Sequence, residues 1–339
     1  MKKILSILLV AVMLVASLLA LASCGGGQIK VNPDKEKYVI GICQLVDHAA
    51  LDAATQGFKD ALTEALAAKG REVEFKYQNA AGDSVTCNTI VNAFIASDVD
   101  LIMANATAAL QSAATATTYI PVLGTSITEY GVALGINDFD GTVGGNISGT
   151  SDLAPLTTQA KMMVDTLGLK AGDKVGLLYC SAEPNSKYQV EVVGDYLEEL
   201  GIVSSDYKFA DTNELQTVVN SAAAGSDAIY VPTDNAVASN TEIINNVCSA
   251  ANIPVFAGEE ATCKGCGYAT LSISYYNIGK KTGEMAAKIL LGEEDVQTMA
   301  IQYDNAPVKK YNKKACEALG IDIAALEAAG YTMIEGTDE

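Results

Sequence analysis

The sequence predicts an α/β protein with two doubly wound parallel-sheet lobes and a cleft between them. Three observations lead to this prediction. Short β-branched runs alternate with amphipathic helices, the alternation occurs twice along the chain, and polar residues follow the apolar strands. Alternating strands and helices form parallel sheets with crossover helices on both faces. Because ligands of such sheets bind beyond the carboxyl ends of the strands, the polar loops predict a binding cleft.

The first half of the chain contains four predicted strands and three predicted helices. The longest predicted helix, 50–69, has apolar residues at Ala54, Phe58, Leu62 and Leu66, which is the spacing of one buried helix face. In chain order the predicted elements are strand 38–43, helix 50–69, strand 73–77, helix 85–96, strand 101–104, helix 108–117 and strand 121–123.

The second half repeats this order. Its predicted elements are strand 175–179, helix 188–200, strand 203–209, helix 215–224, strand 228–231, helix 239–251 and strand 255–257. The segment DLIM at 100–103 corresponds to DAIY at 227–230, and IPV at 120–122 corresponds to IPV at 253–255. These matches favour an internal duplication, and convergent α/β patterning is the alternative.

The N-terminus has the pattern of a bacterial lipoprotein. Lys2 and Lys3 precede an apolar run over 4–21, and small residues then lead into Cys24. This pattern predicts a signal peptide over 1–23, lipid attachment at Cys24 and a flexible tether over 24–36. A transmembrane anchor is the alternative, because the apolar run could just span a bilayer.

Composition excludes several classes of partner. The chain has 41 acidic and 22 basic residues, with a net charge of -19, so it repels phosphate backbones and no nucleic-acid partner is expected. Cys263 and Cys266 have the spacing of a metal or redox motif. They lack a second cysteine pair, and His48 is the only histidine. We therefore expect no metal and no cofactor, and leave open whether the cysteines form a disulfide or remain thiols.

Catalysis is also not expected. A Ser-His-Asp triad would have to use His48, and no Gly-x-Ser-x-Gly turn is present to carry the serine. No phosphate-binding loop of the Gly-x-x-x-x-Gly-Lys type follows a strand either. The interpretation is a binding protein and not an enzyme.

The loops after the strands supply the candidate ligand-binding residues. The only arginine, Arg71, lies in a turn at the opposite ends of the strands, so a ligand carboxylate would have to bind N–H groups and hydroxyls. Asp234 and Glu259 offer negative charge for an ammonium group, and solvated loop carboxylates are the alternative. Candidates for the carboxylate and for the rest of the cleft are Gln44, His48, Thr107, Ala108, Ser126, Thr128 and Tyr275; for Thr107, helix capping is a compatible role.

Several motifs in register resemble one known family. They are Asp47-His48-Ala49-Ala50-Leu51-Asp52, Gln78–Asp83, Ala106-Thr107-Ala108-Ala109-Leu110-Gln111, Ser148-Gly149-Thr150-Ser151-Asp152, Glu183-Pro184-Asn185-Ser186, Val231-Pro232-Thr233-Asp234-Asn235, Gly258-Glu259-Glu260 and Tyr275-Tyr276. Over residues 38–321 the chain is similar to ABC-transporter substrate-binding proteins whose characterised members bind aromatic amino acids such as tryptophan. The chain departs from that family at Glu129 and Tyr130, beside the cleft.

The resemblance implies the type I periplasmic-binding-protein fold, with three crossovers between the lobes. The lobes are expected at 37–149 plus 272–297 and at 150–271 plus 298–335. The family's ligand-facing loop positions correspond to Thr107, Asn185, Ser186, Asp234 and Asn235.

The expected function is that of a lipid-anchored, extracytoplasmic and monomeric binding protein. It would capture a small zwitterion, an aromatic amino acid, by hinge closure and deliver it to an ABC permease in the membrane. A sensory module that uses the same cleft to signal through a membrane receptor is the alternative.

Overall fold

The structure is a computed structural model that describes residues 29–304 and 306–338, so the predicted signal peptide and Cys24 lie outside the described residues. The elements up to the first crossover are β1 (Lys37–Gln44), α1 (Ala49–Ala67), β2 (Glu72–Asn79), α2 (Ser84–Ala96), β3 (Leu101–Asn105), α3 (Thr107–Ala116), β4 (Val122–Ile127), α4 (Tyr130–Leu134) and β5 (Ile147–Ser151). Those that follow are α5 (Leu156–Leu167), β6 (Lys174–Cys180), α6 (Pro184–Glu199), β7 (Val203–Phe209), α7 (Leu215–Gly225), β8 (Ala228–Val231), α8 (Asn235–Ala238), α9 (Thr241–Ala251), β9 (Val255–Ala257), α10 (Glu260–Cys266), β10 (Ala269–Ser272), α11 (Tyr275–Leu290), β11 (Gln302–Tyr303), β12 (Val308–Tyr311), α12 (Lys313–Leu319), α13 (Ile323–Ala328) and β13 (Thr332–Met333).

The described strands form two sheets. The first has six strands in the order β11-β5-β4-β3-β1-β2, and the second has seven in the order β13-β12-β10-β9-β8-β6-β7. Pairing between the described strands is parallel except between β10 and β12. The central strands β3 and β8 are buried along their whole length, as expected for parallel strands covered by helices on both faces. The predicted pair of doubly wound sheets is confirmed.

Helix α1 shows how the sequence produces this packing. The predicted face of Ala54, Phe58, Leu62 and Leu66 is buried, as the spacing indicated. This helix packs closely on α11. The two helices approach so closely at Gly279 that an added Cβ there would lie 2.0 Å from the Ala54 carbonyl oxygen. Helix α11 therefore returns from the second sheet to cover the first one.

The chain passes between the sheets three times: between β5 and α5, between β10 and α11, and between β11 and β12. The lobe limits predicted from the sequence differ from the observed strands at all three crossovers. The boundary at 271/272 separates Ser272 from the rest of β10, which belongs to the second sheet. Ile147–Ser151 is one strand of the first sheet, so a boundary at 149/150 divides it. Gln302–Tyr303 pairs with that strand, whereas the sequence assigned 298–335 to the second lobe. A hydrogen bond of 2.8 Å from the Ser148 hydroxyl to the Met299 carbonyl holds this return segment on the first sheet.

The described cysteines are buried and unpaired: Cys43, Cys87, Cys180, Cys248, Cys263, Cys266 and Cys316. Within residues 29–304 and 306–338 there is no cluster of acidic, histidine and cysteine side chains that could hold a metal ion. No helix in the same ranges is both long enough and apolar enough to cross a membrane.

Candidate functional site

A small cavity lies between the two sheets at the carboxyl ends of their strands. Its volume is about 10 Å³, roughly the space of a single water molecule. The sequence-predicted residues that line it come from both lobes and from the second crossover: His48, Ser126, Thr128, Asn185, Asp234, Asn235 and Tyr275. Residues from distant parts of the chain therefore meet at one place, as the loop pattern predicted.

Among the residues that line this cavity, three buried polar atoms have no hydrogen-bond partner within residues 29–304 and 306–338. They are Nδ1 of His48, Oγ of Ser126 and Oδ1 of Asp152. Burying a polar group without a partner costs about 1–3 kcal/mol, so such atoms are rare in folded proteins and call for an explanation. Their convergence on one cavity is the pattern expected of groups that hydrogen-bond a ligand.

Asp152 was part of a family motif, but it was not among the predicted ligand-binding residues. It follows β5 in the first crossover and is buried. The Tyr275 hydroxyl donates to its Oδ2 at 2.8 Å, which leaves Oδ1 free. Burial raises the pKa of the Asp152 carboxyl, whereas the Tyr275 and Thr128 hydroxyls favour its charged form. A cationic ligand group would lower this pKa by compensating the buried charge.

Ser126 is held by an irregular segment of β4. The pairing of β4 with β5 shifts register between Gly124 and Ile127, and Ser126 has a positive φ of 57°. A non-glycine residue in this region carries a strain of about 1–3 kcal/mol, and strained residues cluster at binding sites. The local bulge places Ser126 in the wall of the cavity.

Asp234 lines the cavity, but its carboxylate is already engaged. Oδ2 accepts a hydrogen bond from the Cys180 backbone N–H at 2.7 Å, and Oδ1 accepts one from the Val237 N–H at 2.9 Å. Asp234 is thus the N-cap of α8 and a link to β6. Burial, together with the charge of Glu183, raises the pKa of Asp234 to about 7.

A side-chain hydrogen bond between His48 and Asn235 crosses the cavity between the lobes. His48 Nε2 lies 3.2 Å from Asn235 Oδ1. Asn235 is held in turn by Glu183, whose Oε2 accepts from the Asn235 side-chain amide at 2.7 Å. His48 precedes α1 of the first lobe, and Asn235 begins α8 of the second.

The remaining predicted residues lie around the cavity. Gln44 is buried behind it in a network with Asp52 and Thr55. Ser186 is buried beside Asn185, whose amide lies 3.2 Å from the Ser186 hydroxyl. Thr107 is a buried residue at the start of α3 that is not on the cavity wall.

Two wider grooves flank the cavity. Ala108 lines a groove of about 420 Å³ that also includes Asn235. Glu259 lines a groove of about 530 Å³ that shares Tyr275 with the cavity. Both carboxylate oxygens of Glu259 cap α10 by accepting from the Ala261 and Thr262 backbone N–H groups, so its predicted negative charge is already partly compensated.

The chain is similar to known proteins along most of its length. Residues 39–327 match the family described as ABC transporter substrate binding protein. A protein of Clostridioides difficile strain R20291 named tyrosine-binding protein is 33% identical over 296 residues, which cover 86% of this chain and 85% of the relative.

Two solved structures are similar along nearly their whole length. An ABC domain from Streptococcus pneumoniae in complex with L-Trp has a TM-score of 0.79 and 30% identity, and the match covers 87% of this chain and 100% of that one. The ligand-free, open structure of a substrate binding protein with adhesive properties from Clostridium difficile has a TM-score of 0.63 and 32% identity, covering 88% and 100%.

These matches confirm the type I periplasmic-binding-protein fold and the resemblance found in the sequence. The relatives are solute-binding proteins and not enzymes. Members of this class are extracytoplasmic and work with an ABC permease. The chain belongs to the ABC transporter substrate binding protein family.

Proposed function

We propose that this protein binds an aromatic amino acid between its lobes and delivers it to an ABC permease. The observation that carries the proposal is that three residues lining the interlobe cavity each have a buried polar atom without a partner among the described residues: His48 Nδ1, Ser126 Oγ and Asp152 Oδ1. The relative named tyrosine-binding protein and the neighbour that holds L-Trp support an aromatic amino acid as the ligand class.

The ligand's ammonium group binds Asp152 in this proposal. Within the part of the chain that the structure describes, one Asp152 carboxylate oxygen has no hydrogen-bond partner, whereas the two oxygens of Asp234 already accept backbone hydrogen bonds. In this proposal the ligand's ammonium group therefore binds Asp152 and not Asp234, the residue suggested by the sequence. Ser126 supplies a hydroxyl donor for the carboxylate, since Arg71 precedes β2 at the far ends of the strands.

An aromatic side chain would occupy the groove next to Tyr275. That groove has a volume of about 530 Å³ and includes Ala50, Ala53 and Ile273, which present small or apolar surfaces. Pockets for ligands of this size are mostly apolar and have volumes of about 300–1,000 Å³. The combination of a polar cavity and an apolar groove fits a zwitterion with a large side chain.

Binding requires the lobes to move about the three crossovers. The cavity of about 10 Å³ cannot admit an amino acid unless the lobes separate. The higher TM-score to the L-Trp complex than to the ligand-free, open structure, at similar identity and coverage, supports a closed lobe arrangement here. Hinge closure over the ligand is a common motion of two-lobed binding proteins.

A thermal-shift panel followed by calorimetry tests the ligand class. We expect L-tyrosine, L-tryptophan or L-phenylalanine to raise the melting temperature, because a ligand at 100 times its Kd stabilises the folded state by about 2.7 kcal/mol. The matching amides and decarboxylated amines serve as controls, and each lacks the free carboxylate. Equal stabilisation by tyramine or tryptamine, or by a hexose, would contradict the proposal.

Lipid anchoring at Cys24 is a separate part of the proposal, since Cys24 lies outside the described residues. Cys24→Ala is expected to release the protein from the membrane or to leave it unprocessed. Fractionation of cells, with electrophoretic mobility as a second readout, measures this. A variant that remains in the membrane with the mobility of the wild type would exclude the lipoprotein interpretation.

A further inference from the structure

Glu183 fixes the orientation of the Asn235 side chain. Its carboxylate accepts hydrogen bonds from the Asn235 backbone N–H at 3.1 Å, the Asn235 Nδ2 at 2.7 Å and the Ala236 N–H at 2.9 Å. A flipped amide would direct its carbonyl oxygen at this carboxylate, and two acceptors would then face each other. The Asn235 Nδ2 must therefore face Glu183, and Oδ1 must face the other way.

This orientation determines where His48 carries its proton. Asn235 Oδ1 lies 3.2 Å from His48 Nε2, and an amide oxygen only accepts hydrogen bonds. Nε2 must therefore be the donor. A neutral imidazole has one N–H group, so Nδ1 is left as a bare acceptor. Nδ1 is also the buried, unpartnered atom on the cavity.

We propose that Glu183 and Asn235 set the tautomer of His48 across the cleft, so that His48 Nδ1 accepts an N–H from the ligand's ammonium group. Asp152 Oδ1 accepts a second N–H on the same cavity. This inference rests on the proposed function, and it adds a second acceptor that makes the site selective for an ammonium group. Asn235 of the second lobe can make Nδ1 of His48 an acceptor only when the two lobes are in contact.

Two acceptors in the site would favour a ligand that has more than one hydrogen-bond donor at this position. An ammonium group has three N–H donors and can serve both His48 and Asp152, whereas a 2-hydroxy acid has one O–H donor and can serve only one of them. The site should therefore prefer L-tyrosine over 4-hydroxyphenyllactate by more than charge alone would give. Glu183 acts through Asn235 and His48, so it is a positioning residue.

The tautomer can be measured directly because His48 is the only histidine of the chain. We would label the mature protein with nitrogen-15 histidine and record imidazole spectra at alkaline pH, where free imidazole is neutral, with saturating L-tyrosine. A single Nε2–H tautomer is expected in the wild type. In Glu183→Gln the new amide can donate to Asn235 Oδ1, which allows the Asn235 amide to flip, so the Nδ1–H form should appear.

Glu191→Gln is the matched control. Glu191 lies on α6, about two turns after its N-cap Glu183, and its side chain is 63% exposed. This variant removes the same charge from the same region without touching Asn235, and its tautomer should be that of the wild type. An Nδ1–H tautomer in the wild type, or the same spectrum in all three proteins, would overturn the inference.

Two substitutions of His48 separate its two roles. Gln places its amide group near the position of Nε2 and keeps the contact to Asn235, while Asn places an oxygen near the position of Nδ1 and keeps the acceptor. His48→Gln should reduce the preference for L-tyrosine over 4-hydroxyphenyllactate about tenfold, and His48→Asn should retain more of it. Wild-type preference in His48→Gln would refute the acceptor role. If no aromatic amino acid binds the wild type, the proposed function itself fails, before any variant is compared.

Discussion

Asp152→Asn is expected to lower the affinity for L-tyrosine by about 10- to 150-fold and to raise the melting temperature of the protein measured without ligand. The affinity falls because a buried hydrogen bond between two charged groups contributes about 1.5–3 kcal/mol. An Asn side chain has nearly the same shape and can still accept from the Tyr275 hydroxyl, which donates to Asp152 at 2.8 Å. The loss should therefore reflect the charge and not the packing.

The expected gain in stability follows from the direction of the Asp152 pKa. Burial raises this pKa, so folding favours the protonated carboxyl. A raised pKa contributes stability below the ordinary carboxyl pKa of about 4, and this contribution is lost as the pH rises through the folded-state value. At neutral pH the charged carboxylate thus lowers the stability of the protein without ligand, and a neutral Asn removes that cost.

Calorimetry and thermal melts on the same samples check both effects. Asp165→Asn is the control, because Asp165 is 59% exposed and forms an ion pair with Lys161 on the surface of α5. The control should change neither quantity appreciably, since exposed ion pairs contribute about 0–1 kcal/mol. A fall in melting temperature for Asp152→Asn, with the affinity unchanged, would assign Asp152 a purely structural role.

The sequence predicted the regular parts of the fold because their signals are local. Strand β8 was predicted with the bounds that the structure has, and the buried face of α1 was predicted residue by residue. Strand β5 was not predicted. Its sequence Ile-Ser-Gly-Thr-Ser reads as a loop, yet the strand is buried throughout.

The partners of β5 explain why the sequence did not reveal it. The Ser148 hydroxyl donates to the Met299 carbonyl, and the Thr150 hydroxyl lies 2.8 Å from that of Thr282. Both partners are more than a hundred residues away in sequence. Hydrogen bonds of this kind allow polar side chains to be buried, and no local periodicity indicates them. The ligand candidate Asp152 directly follows this strand, so it was overlooked for the same reason.

Asp234 and Glu259 show a second limit on predicting ligand-binding residues from the sequence. An acidic residue after a strand and before a helix can bind a ligand cation or cap the helix, and the two roles have the same local pattern. Glu259 caps α10, and Asp234 caps α8. Only the three-dimensional structure distinguishes them from Asp152, because it shows which oxygen atoms remain without a partner.

Asp234→Ala is expected to destabilise the protein by about 2–3 kcal/mol, with a smaller effect on affinity than Asp152→Asn. The substitution removes the acceptors of the Cys180 and Val237 backbone N–H groups, which lie in a buried region. Loss of an N-cap costs about 1 kcal/mol, and a buried N–H without a partner costs about 1–3 kcal/mol. Removal of a buried carboxyl with a pKa of about 7 offsets part of this loss.

Thermal melts without ligand, together with calorimetry well below the melting temperature, measure the two effects separately. The expected fall in melting temperature is about 4–10 °C. Asp322→Ala is the matched control, because Asp322 caps α13 through the Ala325 N–H but is exposed and accepts no second backbone hydrogen bond from the described residues. The control should cost about 1 kcal/mol, so the difference between the variants measures the contact with Cys180. A large loss of affinity in Asp234→Ala at wild-type stability would indicate that the ligand's ammonium group binds Asp234 and not Asp152.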